Sequence, residues 1–198
     1  MALYDDASGR RAAVRNESTR YRLAQAMKIC MQKKSVDDIT VKNIVEQCGV
    51  TRQTFYRNFQ DKYDLVNWYF DKLLHRSFEH MGQGKTINEG LERKFGYIRQ
   101  ERAFFAAGFR SDDRNSLKEH DFELIFQFYI HLLEEKSGRS LSKEMAFLLE
   151  FYCRGSVDMT VKWVLCGMKE SPEYLAKALV KALPVPLFKL ADQMGLLR

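Results

Sequence analysis

The strongest local structural signals of the chain lie in residues 39–65, ITVKNIVEQCGVTRQTFYRNFQDKYDL. Thr40 stands ahead of a short segment with apolar residues on one face, and the segment ends at Gly49, a residue type that often closes helices in a left-handed conformation. Thr51 then caps a second predicted helix, in which two phenylalanines four residues apart lie on the inner face. Two short helices joined by a glycine turn are the arrangement of a helix-turn-helix motif.

The outer face of the second helix carries side chains with the chemistry that reads DNA. In the major groove, arginine makes two hydrogen bonds to guanine and glutamine makes two to adenine. Hydroxyl and ammonium groups suit phosphate oxygens instead. The alternative interpretation is an ordinary helical hairpin with solvated charges. The predicted base contacts are Thr51, Arg52, Gln53 and Arg57, and the predicted phosphate contacts are Thr40, Lys42, Tyr56, Lys62 and Arg20.

Several residues of this stretch form a recognisable signature, namely Gly49-Val50-Thr51, Thr54-Phe55-Tyr56, Phe59 and Asp61-Lys62. The signature resembles the helix-turn-helix of the TetR family of bacterial transcriptional regulators. With Arg52-Gln53-Thr54-Phe55-Tyr56 and a short aromatic-rich C-terminal half, the chain also resembles the subgroup around the dihydroxyacetone-kinase regulator. The specific match covers about residues 18–70, roughly a quarter of the chain. The resemblance implies a homodimer with an N-terminal DNA-binding domain and a C-terminal domain that dimerises and receives a signal.

The positive charge of the chain is concentrated in its N-terminal third. Residues 10–62 contain 12 Lys and Arg against 5 Asp and Glu, whereas the net charge of all 198 residues is +6. The rest of the chain is therefore close to neutral. A basic domain attached to a near-neutral one is typical of a DNA-facing domain and its partner domain, with a merely solvated basic surface as the alternative.

Helical periodicity continues along the whole chain, so the predicted fold class is all-α, with a three-helix helix-turn-helix domain followed by a helical C-terminal domain. We predict a flexible basic arm over residues 1–15 and a first helix starting near Ser18. The DNA-binding domain is predicted over residues 16–70, and the dimerisation and signal-receiving domain over 71–198.

A long helix predicted around residues 142–167 carries charged residues at every fourth position from Glu150 to Lys162. They form one narrow polar ridge, so most of the helix surface is expected to be buried. A subunit interface formed as a four-helix bundle explains that burial, with a central core helix of a monomer as the alternative. The predicted interface residues are Phe151, Tyr152, Gly155, Met159, Leu175 and Leu179.

Aromatic residues crowd the C-terminal half of the chain. They suit either a ligand pocket with a few polar groups or an ordinary core. The signal is therefore expected to come from a small molecule or from a partner protein. The predicted pocket residues are Phe104, Phe105, Phe109, Phe126, Tyr129, Phe147, Phe151 and Trp163.

Other classes of protein find little support in the sequence. The N-terminal residues lack the apolar segment of a signal peptide, and charges interrupt the apolar region 145–166, so we predict a cytoplasmic protein without membrane contact. Four separated cysteines do not match a common zinc site, and no catalytic motif or glycine-rich phosphate loop is present, so no metal, cofactor or enzymatic activity is expected. The alternative function is a helical protein-interaction module without sequence-specific DNA binding.

Overall fold

The computed structural model describes residues 6–79, 81, 85–111, 113 and 116–197, with side chains from residue 16 onward. In this part of the chain the regular secondary structure is helical, which confirms the predicted all-α fold. The helices are α1 (Asp6–Met31), α2 (Val41–Cys48), α3 (Arg52–Tyr56), α4 (Lys62–Phe78), α5 (Ile87–Gln100), α6 (Arg102–Gly108), α7 (Leu117–Ser137), α8 (Lys143–Leu165), α9 (Pro172–Lys181) and α10 (Val185–Gln193).

The first helix starts earlier than the sequence analysis predicted. Helix α1 begins at Asp6, so residues 6–15 are helical and the predicted flexible arm is wrong over that range. Residues 1–5 of the predicted arm lie outside the described residues. The segment is rich in alanine and arginine, which are good helix formers, and its one glycine is too weak a breaker to stop the helix. An aspartate at the start also suits the positive end of the helix dipole.

Helices α1 to α3 and the first part of α4 pack together as an N-terminal domain around a small apolar core. Leu23 of α1, Ile44 of α2, Phe55 of α3 and Leu65 of α4 are each 0% exposed. Each helix therefore contributes at least one side chain that is fully removed from water, which fixes the short α3 against the longer helices. Helix α4 then continues out of this domain and contacts α5 and α7.

Helices α5 to α10 form the C-terminal domain, in which α5 packs against α9 and α7 against α8. An ion pair lies inside this domain, between α5 and α7. The Lys94 Nζ atom is 2.7 Å from Asp121 Oδ1 and 3.0 Å from Asp121 Oδ2, and the two side chains are 5% and 0% exposed. A pair shielded from water to this degree holds the two helices in one register, because neither charge tolerates the loss of its partner.

The predicted polar ridge of α8 is exposed as expected. It does not simply face water, because Arg154 bonds Glu119 of α7 at 3.1 Å and Asp158 pairs with Lys118 of α7 at 2.8 Å. The ridge therefore marks the edge along which α8 meets α7. Other residues of α8 are buried within the protomer, where the helix also packs against α6 and α10.

His120 of α7 connects the C-terminal domain to α4, because its Nε2 atom lies 2.6 Å from Asp71 Oδ1. Burial opposes protonation of the ring, but the hydrogen bond and charge of Asp71, with Asp121 and Glu123 nearby, outweigh it and raise the pKa of His120. A raised folded-state pKa stabilises the fold fully below the unfolded pKa of about 6.5, and this contribution is lost as pH rises through the folded pKa.

We therefore expect the wild-type protein to lose more stability than a His120→Gln variant as the pH is raised from about 6 to about 8. Urea unfolding curves at matched protein concentration measure this difference. Parallel curves for the two proteins across that range would show that the His120–Asp71 pair does not titrate with folding.

Candidate DNA-binding surface

Helix α2 is held at both ends by the residues that the sequence indicated. The Thr40 hydroxyl accepts a hydrogen bond from the Asn43 backbone N–H at 3.2 Å, and the Asn43 side chain accepts one from the Thr40 N–H at 3.1 Å. This reciprocal capping box fixes the start of the helix. Gly49 closes the helix with φ of 70°, a conformation that favours glycine and turns the chain towards α3.

Helix α3 is only five residues long and depends on its cap and its buried face. The Thr51 hydroxyl accepts a hydrogen bond from the Thr54 N–H at 3.1 Å. Phe55 is 0% exposed, and Phe59 just beyond the helix is 2% exposed. So short a helix is not stable alone, so these anchors determine where its outer face points.

The outer face of α3 brings together the predicted base contacts. Arg52, Gln53 and Arg57 are exposed, and Tyr56 beside them is 58% exposed. Thr51 is exposed too, although its hydroxyl already serves as the helix cap. The surface therefore presents two guanidinium groups and one amide within about one and a half helical turns. These groups supply the hydrogen-bond donors and acceptor that can read base edges.

The two lysines among the predicted phosphate contacts already have partners within the protein. Lys62 donates hydrogen bonds from its Nζ atom to the carbonyl oxygens of Asp37, at 2.6 Å, and Ile39, at 2.9 Å. These bonds tie the start of α4 to the loop before α2, leaving one of the three ammonium hydrogens for a phosphate. Lys42 lies 3.7 Å from Glu46 on the open surface of α2. Ion pairs this exposed contribute little to stability, so Lys42 can readily exchange Glu46 for a phosphate.

Arg20 has a packing role that the sequence did not indicate. Its guanidinium carbon lies 4.7 Å from the ring centroid of Phe59 and 4.8 Å from that of Trp68. Tyr21 in turn packs edge-on against Trp68, with ring centroids 5.0 Å apart. This cluster packs against Phe59 and so supports the segment that follows α3. The phosphate contact of Arg20 stays a prediction.

Arg22 makes a contact that the sequence did not indicate, because its guanidinium donates to the backbone carbonyl of Cys48 at 3.2 Å. That carbonyl belongs to the last residue of α2. A cation at a helix C-terminus offsets the negative end of the helix dipole. The position of Arg22 near the basic start of the domain gave no signal for this contact, because its partner is 26 residues away.

The predicted dimer residues divide into two groups in the structure. Phe151, Gly155 and Met159 are exposed on α8, as an interface requires. The other three are wrong, because Tyr152 is 8% exposed and Leu175 and Leu179 are each 7% exposed within the protomer. The Tyr152 hydroxyl donates to the Leu179 carbonyl at 3.0 Å. This hydrogen bond joins α8 to α9 inside the C-terminal domain.

Large apolar side chains are nevertheless exposed on the last helices. Of nine exposed large hydrophobic side chains in the part of the chain that is described, seven belong to α8, α9 and α10. Such a concentration marks an association surface. We call it the α8–α10 face and define it by Phe147, Phe151, Met159, Leu165, Tyr174, Val185 and Phe188.

The eight predicted pocket residues do not line one cavity. Phe147 and Phe151 are 66% and 70% exposed, so their assignment to an interior pocket is wrong. Phe104 and Phe105 pack against each other in the core, with ring centroids 5.3 Å apart. Tyr129 lines a cavity of about 10 Å³, the size of a single water molecule.

A larger groove of about 560 Å³ lies between α4 and α7. This volume is within the range of ligand-binding clefts. The side chains that line it do not include any of the eight residues that the sequence suggested. They are Leu74, His75, Arg76, Phe78, Glu79, Leu124, Gln127 and Phe128.

Within the described residues, no cluster of three or more His, Cys, Asp or Glu side chains is arranged to hold a metal ion. Among the helices of that same part of the chain, none combines the length and apolar character needed to cross a membrane.

Family models match both halves of the chain. The model for the N-terminal region of bacterial regulatory proteins of the tetR family matches residues 23–68, which hold α2, α3 and the capped start of α4. A model described as a transcriptional regulator C-terminal region, of the same family, matches residues 85–184. The chain belongs to the TetR family. The predicted resemblance is therefore confirmed.

Individual TetR relatives agree with this assignment. The chain is 37% identical over 49 residues to the HTH-type dhaKLM operon transcriptional activator DhaS of Lactococcus lactis, and the match covers 25% of this chain and 26% of that protein. A structure of the dihydroxyacetone kinase operon activator DhaS has a TM-score of 0.61 at 22% identity, covering 91% of this chain and 98% of that one.

A TetR transcriptional regulator from Streptococcus agalactiae has a TM-score of 0.64 at 20% identity, covering 88% of this chain and 98% of its own. At this identity the likeness shows the fold alone. As a TetR family member the protein is a DNA-binding transcriptional regulator, and TetR regulators bind DNA as dimers. The prediction of a DNA-binding regulator is confirmed over that of an interaction module.

Proposed function

We propose that α3 is the recognition helix of this regulator and that Arg52, Gln53 and Arg57 contact base edges in the major groove. The observation that carries the proposal is the placement of these exposed side chains on a short helix whose inner side is locked by the buried Phe55. Thr51 serves as helix cap and as a further base contact. Phosphate contacts around this helix set its register on the duplex. They are made by Thr40, Lys42, Tyr56, Lys62 and Arg20.

The domain organisation follows from the same proposal. Residues 16–70 form the DNA-binding domain, and residues 71–198 form the domain that dimerises and receives the signal. Two copies join through the α8–α10 face and place their recognition helices in successive major grooves of a pseudo-palindromic operator. Since its target is chromosomal DNA, the protein acts in the cytoplasm, and it works by binding rather than as an enzyme.

The signal acts on the C-terminal domain and comes from a small molecule or a partner protein. A ligand regulates DNA affinity only if it binds two arrangements of the dimer with different affinity. Because the groove between α4 and α7 is lined by the helix that enters the DNA-binding domain, its occupation would reach the recognition helix through α4.

The experiment that tests the function is a selection of bound duplexes from a random DNA library at moderate salt. Recovery of a two-fold symmetric motif is the expected result for a dimer that reads sequence. Salt-sensitive binding without any enriched motif would instead indicate phosphate contacts alone and would contradict the base-reading role of α3.

An Arg52→Ala variant is expected to lose about 1–3 kcal/mol of operator binding and to relax the preference at one base pair of each half-site. The reason is that a bidentate contact discriminates against the wrong base as well as adding affinity. Competition binding against operators changed at single positions measures both effects. Arg139→Ala, at an exposed arginine in the turn after α7, is the matched control and should retain wild-type binding. A wild-type base preference in Arg52→Ala would refute the assignment.

A further inference from the structure

Helix α6 is joined to the DNA-binding domain at both of its ends. Glu101, directly before α6, pairs with Lys28 of α1 at 2.5 Å. Ser111, shortly after α6, donates a hydrogen bond to Asp37 in the loop before α2 at 2.6 Å. We call these contacts the Glu101 clip and the Ser111 clip.

Each clip also includes a tyrosine of α4. At the Glu101 clip the Tyr69 hydroxyl donates to Glu101 at 3.0 Å and accepts from Lys28 at 3.3 Å. At the Ser111 clip the Tyr63 hydroxyl donates to the same Asp37 oxygen as Ser111, at 2.9 Å. Each clip therefore connects three segments, so it holds α6 against both α4 and the helix-turn-helix region.

The hydrogen bonds of the Ser111 clip shift the pKa values of its two ionisable members. The hydrogen bond from Ser111, opposed by partial burial and helped by Tyr63, lowers the pKa of Asp37. Burial and the hydrogen bond to Asp37 raise the pKa of Tyr63 to about 12. The carboxylate therefore stays an acceptor and the phenol stays a donor at neutral pH. Ser111 itself is 6% exposed, so water competes poorly for its hydroxyl.

Two clips constrain the orientation of the DNA-binding domain more than one clip would. A seven-residue helix is about 10 Å long, so the clips hold the DNA-binding domain at two separated points. A single contact would constrain that domain at one point, whereas two contacts, together with the continuous helix α4, oppose its rotation relative to the C-terminal domain. Helix α6 also packs against α8, which carries part of the α8–α10 face. Through α6, the orientation of each DNA-binding domain is thus fixed relative to α8, a helix of the proposed dimer interface.

We propose that Glu101 and Ser111 are positioning residues that set the half-site spacing the dimer accepts. The inference rests on the proposed function, since it concerns a dimer on a two-fold operator. Adding one base pair between half-sites moves them apart and rotates one against the other by about a tenth of a turn. With the clips intact, the DNA-binding domains resist moving to the new half-site positions. Without the clips, they can move to them at a lower cost in binding free energy.

The test uses a Glu101→Gln/Ser111→Ala double variant and duplexes built from the half-site recovered by selection. Both substituted residues belong to the C-terminal domain, so the side chains of α3 are unchanged. The spacer is varied to one base pair shorter and longer than the optimum. For the wild type we expect affinity to fall at least about tenfold off the optimum, and for the double variant about threefold or less. Preference within the half-site should stay the same.

Glu119→Gln/Ser137→Ala is the matched control, because it makes the same chemical changes at α7 residues outside the clips. A Ser111→Thr single variant keeps both the hydroxyl and the native Glu101. It should therefore show the wild-type spacing profile. A uniform loss of affinity at all spacers in the double variant would mean that the clips only stabilise the fold and would overturn the inference. Failure of the wild type to select any motif would overturn the proposed function itself and the inference with it.

Discussion

Replacing Asp121 with alanine is expected to lower the free energy of unfolding by about 3–5 kcal/mol. The substitution leaves the Lys94 ammonium buried at 5% exposure without the carboxylate that lies 2.7 Å away. Whole domains are stable by only about 5–15 kcal/mol, so this single change consumes a large share of the total. Urea unfolding followed by circular dichroism measures the loss, at fixed protein concentration because the folded state is a dimer.

The same argument predicts recovery in a Lys94→Met/Asp121→Leu double variant, because removing both charges leaves no unpaired ion in the core. Glu119→Ala is the control for breaking an ion pair on the surface. Glu119 and its partner Arg154 are 44% and 48% exposed, so the expected cost is under about 1 kcal/mol. If Asp121→Ala cost no more than Glu119→Ala, the buried pair would not hold α5 and α7 together.

The helix-turn-helix could be predicted from the sequence because its signals are local. Thr40 and Thr51 cap helices whose first bonds lie three residues away, and Gly49 ends α2 through its own backbone. Phe55 and Phe59 share a face because of helical spacing alone. None of these features depends on a distant part of the chain, so pattern and structure agree residue by residue.

Contacts between distant residues could not be predicted in the same way. The carbonyl partners of Lys62 lie 23 and 25 residues before it, so the sequence offered only a phosphate as partner for this ammonium. The Lys94–Asp121 pair spans 27 residues and went unnoticed for the same reason. Periodicity identifies which face of a helix is polar, but it does not say which polar groups meet across two helices.

The dimer residues show a second limit of sequence patterns. Phe151 and Tyr152 are neighbours in sequence and about 100° apart around the helix, and both are apolar enough to be buried. Helix α8 has two apolar sides, one for its own protomer and one exposed. The sequence identified the helix but not the side, so it combined Tyr152, which packs inward, with Phe151, which is 70% exposed.

A Phe151→Glu variant is expected to be monomeric and to bind the operator at least about 100-fold more weakly than the wild type. Phe151 lies within the α8–α10 face, so in a two-fold interface the substitution buries carboxylates on both protomers against apolar surface. Loss of the dimer removes the linkage between two recognition helices, and each then binds a half-site alone. Sedimentation equilibrium measures the assembly, and mobility shift with the selected operator measures the binding.

The exposure of Phe151 makes this outcome specific to association. A side chain that is 70% exposed contributes little to the core of its own protomer, so circular dichroism of Phe151→Glu should remain that of a folded helical protein. Ile29→Glu changes another exposed apolar residue, on α1, and should leave the dimer intact. A Phe151→Glu protein that still assembled at wild-type concentrations would place the interface elsewhere. Since seven of the nine exposed large hydrophobic side chains belong to the α8–α10 face, that result would leave an apolar surface on this face without a partner copy to cover it.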